Sequence, residues 1–361
     1  MPNNIPSEAY VIGLCAITVL LRYTQFWITA NRQQNTKKSN EKNTQYICEK
    51  FISIIDAPSD NIMNEELRQL KDYVGSSRVS FDILTQVFMD FLSEADSDNE
   101  QQQLALFKIL KIVDPVKFYA GLLKNGSNYD KAHACRMLAD YAAEDQIKNI
   151  EKHVASSNSD LSFSAVMALS KLGDEAGVMK FFVNSKDNYR VSRRLVLQVL
   201  SEYSEDIKTL AGMIIKECDD YTKANVIKSI AKYNFEEFAE IYLEALRSKN
   251  VTLRVAAAQA LGSFGDEKYE RNLIIAANDR MWIVRNAAVK ALGNINSVRA
   301  LEAVARATSD GEWWVRYNAA KTLTTMQDGM ASIDDILSKY DEYASDAIKY
   351  VLYREQPIST E

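Results

Sequence analysis

Leu253-Arg254-Val255-Ala256-Ala257-Ala258-Gln259-Ala260-Leu261-Gly262, Val284-Arg285-Asn286-Ala287-Ala288-Val289-Lys290-Ala291-Leu292-Gly293 and Val315-Arg316-Tyr317-Asn318-Ala319-Ala320-Lys321-Thr322-Leu323 are three copies of one motif. Each places an Ala four residues before a Leu, which puts both on one helical face. The small side chain lets a neighbouring helix approach, and the Leu fills the space beside it. The same anchor recurs upstream at Phe107, Leu138, Leu169, Leu200 and Ile230, in steps of 31 residues apart from one of 30 before Ile230. Ala134, Ala165, Val196 and Val226 fill the small slot there, with Gln103 the misfit. A fixed period of this length marks a supersecondary unit that cannot bury its apolar face alone and is stacked into a solenoid.

A second apolar-periodic stretch precedes each of these helices: 115–124, 145–155, 175–184, 206–216, 235–247, 267–277 and 298–308, with 333–340 after the last. Each unit therefore reads as two antiparallel helices joined by short turns, marked by Gly-Asp at Gly173-Asp174 and Gly265-Asp266. No strand alternation interrupts them. Five Pro and twelve Gly in 361 residues, with 47% hydrophobic residues, fit an all-α chain.

These residues resemble the HEAT-repeat family in its short bacterial form, with its Val-Arg-x-Ala-Ala-x-x-Ala-Leu-Gly signature. The resemblance implies an all-α fold, an α-solenoid wound as a right-handed superhelix of helical hairpins, over about residues 96–353 in about eight units. The family pattern also has an Asp six residues before that Arg, matched by Asp187/Arg193, Asp279/Arg285 and Asp310/Arg316. The resemblance implies a ladder of these residues between neighbouring repeats, with the Asp near a helix start where its carboxylate can cap free amides. Ser162 and Lys223 stand in the Arg slot of two units, and no Asp precedes Arg254 at that spacing, so the ladder is expected to break there.

Residues 45–95 read as three further helices without the repeat code, a cap at the solenoid's N-terminal end. Tyr343, Ala347, Tyr350 and Val351 form an apolar stripe in a last helix, and 354–361 read as a tail. At the other end, residues 1–8 form a short tail before Ala9–Leu21, which are almost wholly apolar. Extended to Ala30 the run reaches the roughly 20 residues a bilayer crossing needs. Arg22 lies off-centre and can snorkel beside Tyr23 and Trp27. A transmembrane helix over 9–30 is the leading expectation. A secretory signal peptide, which lacks its basic lead here, and an interfacial or docked helix remain as alternatives. Arg22, Arg32, Lys37, Lys38 and Lys42 follow the run. By the positive-inside rule the N-terminus then faces out and the solenoid lies on the cytoplasmic side of the inner membrane. Residues 31–44, polar and basic, read as a flexible linker.

Little in the chain points to chemistry. His133 and His153, the only histidines, belong to no metal-ligand spacing, and the family's iron-dependent hydroxylases depend on His-Glu pairs that this chain lacks. Cys15, Cys48, Cys135 and Cys218 form no CxxC and read as buried thiols. Phosphate-loop and nucleophile motifs are missing. The expectation is a non-enzyme with no catalytic residue, cofactor or metal. Between Arg247 and Lys321 basic residues outnumber acids twelve to seven, which suggests a nucleic-acid groove, but the net charge of −6 argues against one. Trp282 and Trp313 share one slot, three before the ladder Arg, and stacking is expected to set them side by side with Trp314 adjoining. Such rows supply interface anchors, although packing on the preceding turn is the leading account of the slot. Arg280, Arg285, Arg316 and Tyr317 are expected to border the row. The function expected is a membrane-anchored scaffold or adaptor for a protein partner, with no small-molecule substrate. The resemblance adds an accessory role to a membrane enzyme of envelope polysaccharide synthesis. Its alternatives are a lyase or chaperone for a chromophore protein and a nucleic-acid-binding enzyme.

Overall fold

The computed structural model describes residues 34, 36–95, 99–184, 191–295, 297–339 and 341–355, and every regular element among them is a helix. The chain divides after Leu122 into two compact units.

In the first unit a helix over residues 36–55 (α1) leads to α2 (Asp60–Val74), α3 (Arg78–Glu94), α4 (Glu100–Val113) and the opening turns of α5 (Pro115–Asn125). The linker expected over 31–44 is corrected: residues 36–44 are the first turns of α1. The Tyr46 ring lies 4.1 Å from that of Tyr73 on α2, whose hydroxyl donates to Asn43 Oδ1 at 2.8 Å. That support comes from a distant residue, so a local reading of polar composition misses it. Phe51, Ile54, Leu67, Leu70, Leu84 and Ile109 form the core. Phe107, expected as the first repeat anchor, is 62% exposed, and Gln103 is exposed too; Ala105 and Ile109 are buried in their place. The small-then-large pair survives two residues along, and the misfit Gln103 was the sign of the shift. The expected membrane helix over 9–30 lies outside the described residues, as does Cys15. Among the described residues no helix is long and apolar enough to cross a membrane.

The second unit runs through α6 (Asn128–Asp140), α7 (Ile147–Glu151), α8 (Ser159–Lys171), α9 (Glu175–Asn184), α10 (Arg193–Glu202), α11 (Ile207–Glu217), α12 (Asp220–Ile230), α13 (Ala239–Leu246), α14 (Val251–Phe264), α15 (Glu270–Ala276), α16 (Trp282–Leu292), α17 (Val298–Ala307), α18 (Trp313–Leu323), α19 (Gly329–Ser338) and α20 (Glu342–Glu355). The even-numbered helices from α6 to α20 pack each on the next, and α9 on α11 and α15 through α17 to α19 form the other layer. This is a HEAT-like stack of helical hairpins. Leu138, Leu169, Leu200, Ile230, Leu261, Leu292 and Leu323 are all buried, as are Ala134, Ala165, Val196, Val226, Ala257, Ala288 and Ala319 four residues before them. Each such Leu contributes about 1.5–3 kcal/mol by leaving water. The Gly that follows the anchor marks the closest approach: a Cβ on Gly262 would lie 2.6 Å from Ala291 Cα on the next helix.

Caps set where the inner helices begin. Ser127, Asn158, Ser192, Asp219 and Asn250 each accept a hydrogen bond from a first-turn amide of α6, α8, α10, α12 and α14. α16 and α18 begin after Met281 and Glu312, whose side chains accept no hydrogen bond from a first-turn amide. Asp279 Oδ1 accepts from Met281 N at 2.8 Å and Asp310 Oδ1 from Glu312 N at 2.9 Å, so a carboxylate two residues upstream takes the task.

Candidate interaction site

Those two aspartates also carry the ladder, which runs between neighbouring repeats as the resemblance implies. Arg254 donates through Nε and Nη2 to Asp279 at 2.8 and 3.0 Å, and Arg285 donates likewise to Asp310 at 2.6 and 2.7 Å. The carboxylate each Arg meets belongs to the next repeat. Its partner six residues back is a backbone carbonyl: Arg285 Nη1 donates to Asp279 O at 2.9 Å, and Arg254 Nη1 to Ser248 O, also at 2.9 Å. The break expected at Arg254 is therefore corrected, because the Asp it needs lies downstream. In the unit where Ser162 replaces the Arg, its hydroxyl donates to Val154 O and serves the same turn. Asp187 lies outside the described residues, and Arg193 donates to Lys228 O at 3.2 Å. Burial acts to raise the carboxyl pKa of Asp279 and Asp310, but the guanidinium hydrogen bonds and the capped amides outweigh it and hold both below the usual carboxylate range.

Arg316 ends the ladder differently. Its Nη1 donates to Asp310 O at 2.6 Å, as in the other rungs, but its buried Nε has no hydrogen-bond partner among the described residues. The guanidinium carbon lies 5.7 Å from the Trp313 ring centre and 5.3 Å from that of Tyr343. Around it Trp313 stacks on Tyr317 at 6.4 Å and meets Tyr350 edge-on at 5.6 Å, and Trp314 meets Tyr317 edge-on at 6.1 Å. Trp314 is 56% and Tyr343 67% exposed, so large ring faces remain open to solvent.

Of the seven interface residues expected from sequence, the structure brings together Trp313, Trp314, Arg316 and Tyr317. Trp282 is half-buried and makes no ring contact with Trp313, so the expected side-by-side row is corrected: the ring contacts run from α18 onto α20. Arg280 is exposed, whereas Arg285 is committed to Asp310. Of the expected apolar stripe, Ala347 and Val351 lie in the core with Ala344 and Ile348, whereas Tyr343 and Tyr350 face outward. The alanines were the signal for the true stripe; the tyrosines obscured it.

A second open surface runs along the inner helices, two residues before and two after each anchor. Across α6, α8 and α10 it widens to a groove of about 850 Å³ with mixed charge: Arg136, Asp160 and Glu202 stand beside a Lys171–Asp140 pair at 2.6 Å. Farther along, Lys232 and Tyr233 line a cleft of about 310 Å³ at α12, and Lys290, Asn294, Lys321 and Thr325 one of about 270 Å³ between α16 and α18.

Neither surface gathers reactive groups. His133 lines the wide groove; burial, then nearby Lys131, hold His153 below the ordinary imidazole range. Cys135 and Cys218 are buried and Cys48 is partly so; burial pushes the Cys135 thiol up to about 12, keeping it protonated. Among the described residues no group of three His, Cys, Asp or Glu side chains is placed to hold a metal ion.

Compared with known proteins, residues 270–346 match the family model for HEAT repeats. No curated protein matches the chain. Among solved structures it is similar to a mutant of Kap121p, with 14% identity and a TM-score of 0.49 over 84% of this chain and 41% of that one. It is also similar to the CpcE–CpcF complex of phycocyanin lyase from Nostoc sp. PCC7120, with 16% identity, TM-score 0.30 and coverage of 66% and 94%. Human deoxyhypusine hydroxylase in complex with glycerol gives 14% identity and TM-score 0.27 over 80% and 98%.

Proposed function

This chain carries HEAT repeats, and from that premise we propose that it is a non-catalytic scaffold or adaptor that holds a protein partner. The observation that carries the reading is the open aromatic cluster of Trp313, Trp314, Tyr317, Tyr343 and Tyr350 with Arg316 among them. Trp, Tyr and Arg are the side chains that dominate interface energetics, because they offer wide apolar area with few rotors and a polar handle.

The scaffold is tethered to the cytoplasmic face of the inner membrane through residues 9–30. The apolar run in the sequence supports this, and so do the basic residues after it, of which Lys37, Lys38 and Lys42 are exposed on α1. Its partner on this reading is a membrane enzyme of envelope polysaccharide synthesis. To test it, a photo-crosslinking residue replaces Trp314 in the full chain within intact membranes. A discrete protein adduct, lost when Trp313 and Tyr350 are changed to Ala, is expected. Labelling indistinguishable from that of a crosslinker placed at exposed Gln86 would refute the site.

A further inference from the structure

We propose that the inner face from α12 to α18 binds an extended acidic segment of the protein partner, with a carboxylate at about every third residue. The proposal rests on the scaffold reading and adds the partner's chemistry. Two rows of side chains carry it. Two residues before the anchors stand Lys228, Gln259, Lys290 and Lys321; two residues after them stand Lys232, Ser263, Asn294 and Thr325. Four cations and no acid occupy these eight positions, whereas the same rows at α6, α8 and α10 include Asp140 and Glu202, and Asp140 already neutralises Lys171.

Lys232, Lys290 and Lys321 are exposed and form no ion pair among the described residues; Lys228 is half-buried near Arg193. The polar neighbours are partly spent inward: Asn294 Nδ2 donates to Gly262 O at 2.9 Å, and Ser263 Oγ to Ala231 O, also at 2.9 Å. They tie successive helices together and leave the ammonium groups as the groups facing out. Clefts at α12 and between α16 and α18 leave room beside them.

Spacing selects the ligand. Packed helices lie about 8–10 Å apart, so the lysines of α16 and α18 stand about one such interval apart and those of α12 about two intervals before them, with Gln259 of α14 between. An extended polyproline-type segment rises about 3.1 Å per residue with three residues per turn, so every third side chain returns to one side after about 9 Å. A segment with Glu or Asp at those positions presents a carboxylate to the lysines of α12, α16 and α18 and to the Gln259 amide of α14. A nucleic acid is the poorer match, because its phosphates recur about every 3.4 Å along a strand and call for more closely clustered cations than four lysines spread over α12 to α18.

The test measures fluorescence anisotropy of a labelled peptide of Glu-Pro-Pro triplets with the full chain in lipid nanodiscs at low salt. Binding is expected to weaken at least about tenfold when Lys290→Glu and Lys321→Glu are combined, since each reversal replaces an attraction with a repulsion. The pair Lys111→Glu and Lys124→Glu, at exposed positions away from both surfaces, changes net charge equally and should leave it unchanged, and circular dichroism should show both variants folded. Lack of binding overturns the proposal, as does equal loss in the two variants or equal binding of a peptide with its glutamates clustered at one end. Tighter binding of single-stranded oligothymidine to the same lysines overturns it in favour of nucleic acid. If the Trp314 crosslink persists while the acidic peptide is ignored, the strip fails and the scaffold reading stands.

Discussion

Arg254, Arg285 and Arg316 occupy one slot in three successive repeats, yet they do not bear equal weight. Arg285 is closed between Asp310 and the Asp279 carbonyl, with its side chain 17% and that of Asp310 11% exposed. Truncating it leaves a nearly buried carboxylate unpaired, and Arg285→Ala is expected to cost about 2–4 kcal/mol. Arg316→Ala forfeits carbonyl hydrogen bonds and aromatic faces but no carboxylate, and should cost about 1–2 kcal/mol. Guanidinium denaturation midpoints of the two variants decide it; equal losses would contradict the open last rung. The ladder also sets an acid limit. A carboxyl group whose pKa is lowered by folding lends stability above its unfolded value near ~3.9, and that stability is lost as pH falls through the folded value. Melting temperature should therefore drop steeply below about pH 4, and Asp279→Asn should flatten that decline while lowering stability at neutral pH. The sequence offered the Asp and Arg types and their spacing. It did not offer the rung at Arg254, because the Asp that this Arg meets lies 25 residues downstream and not six residues before it, and only packing shows that the downstream carboxylate completes the pair.

At the level of helices, contact depends on side chains as small as a hydrogen atom. A methyl group on Gly262 would meet the backbone of α16, which cannot rotate away, so Gly262→Ala is expected to destabilise by about 1–3 kcal/mol. Gly311→Ala, where no atom lies within 4 Å of the added Cβ, should stay within about 0.5 kcal/mol. Thermal melts of the two single variants make the comparison, and a neutral Gly262→Ala would contradict the close approach. Helix identity was legible because the Ala-to-Leu spacing is a local signal that tertiary packing reinforces. Legibility failed where a distant residue decides: Tyr73 steadies the start of α1, and the two-residue shift that turns Phe107 outward depends on what α4 packs against.

At the scale of the whole chain, the apolar opening and the repeat array are expected to be separable. Deleting residues 1–30 should release a soluble protein whose circular dichroism keeps the helical signature; a shortened chain that stays in the membrane pellet would contradict the tether. The interface was less legible than the fold. An aromatic cluster drawn from α18 and α20 has no period to reveal it, and its last members sit in a helix whose register departs from the repeat. The ladder, for its part, reads forward by 25 residues within a period of 31. Excising residues 265–295 brings Arg254 as near in sequence to Asp310 as it now stands to Asp279, and turns Gly262 toward Thr322, the neighbour Gly293 has today. The splice heals with a native ion pair, whereas a cut of another length leaves guanidinium and carboxylate out of phase.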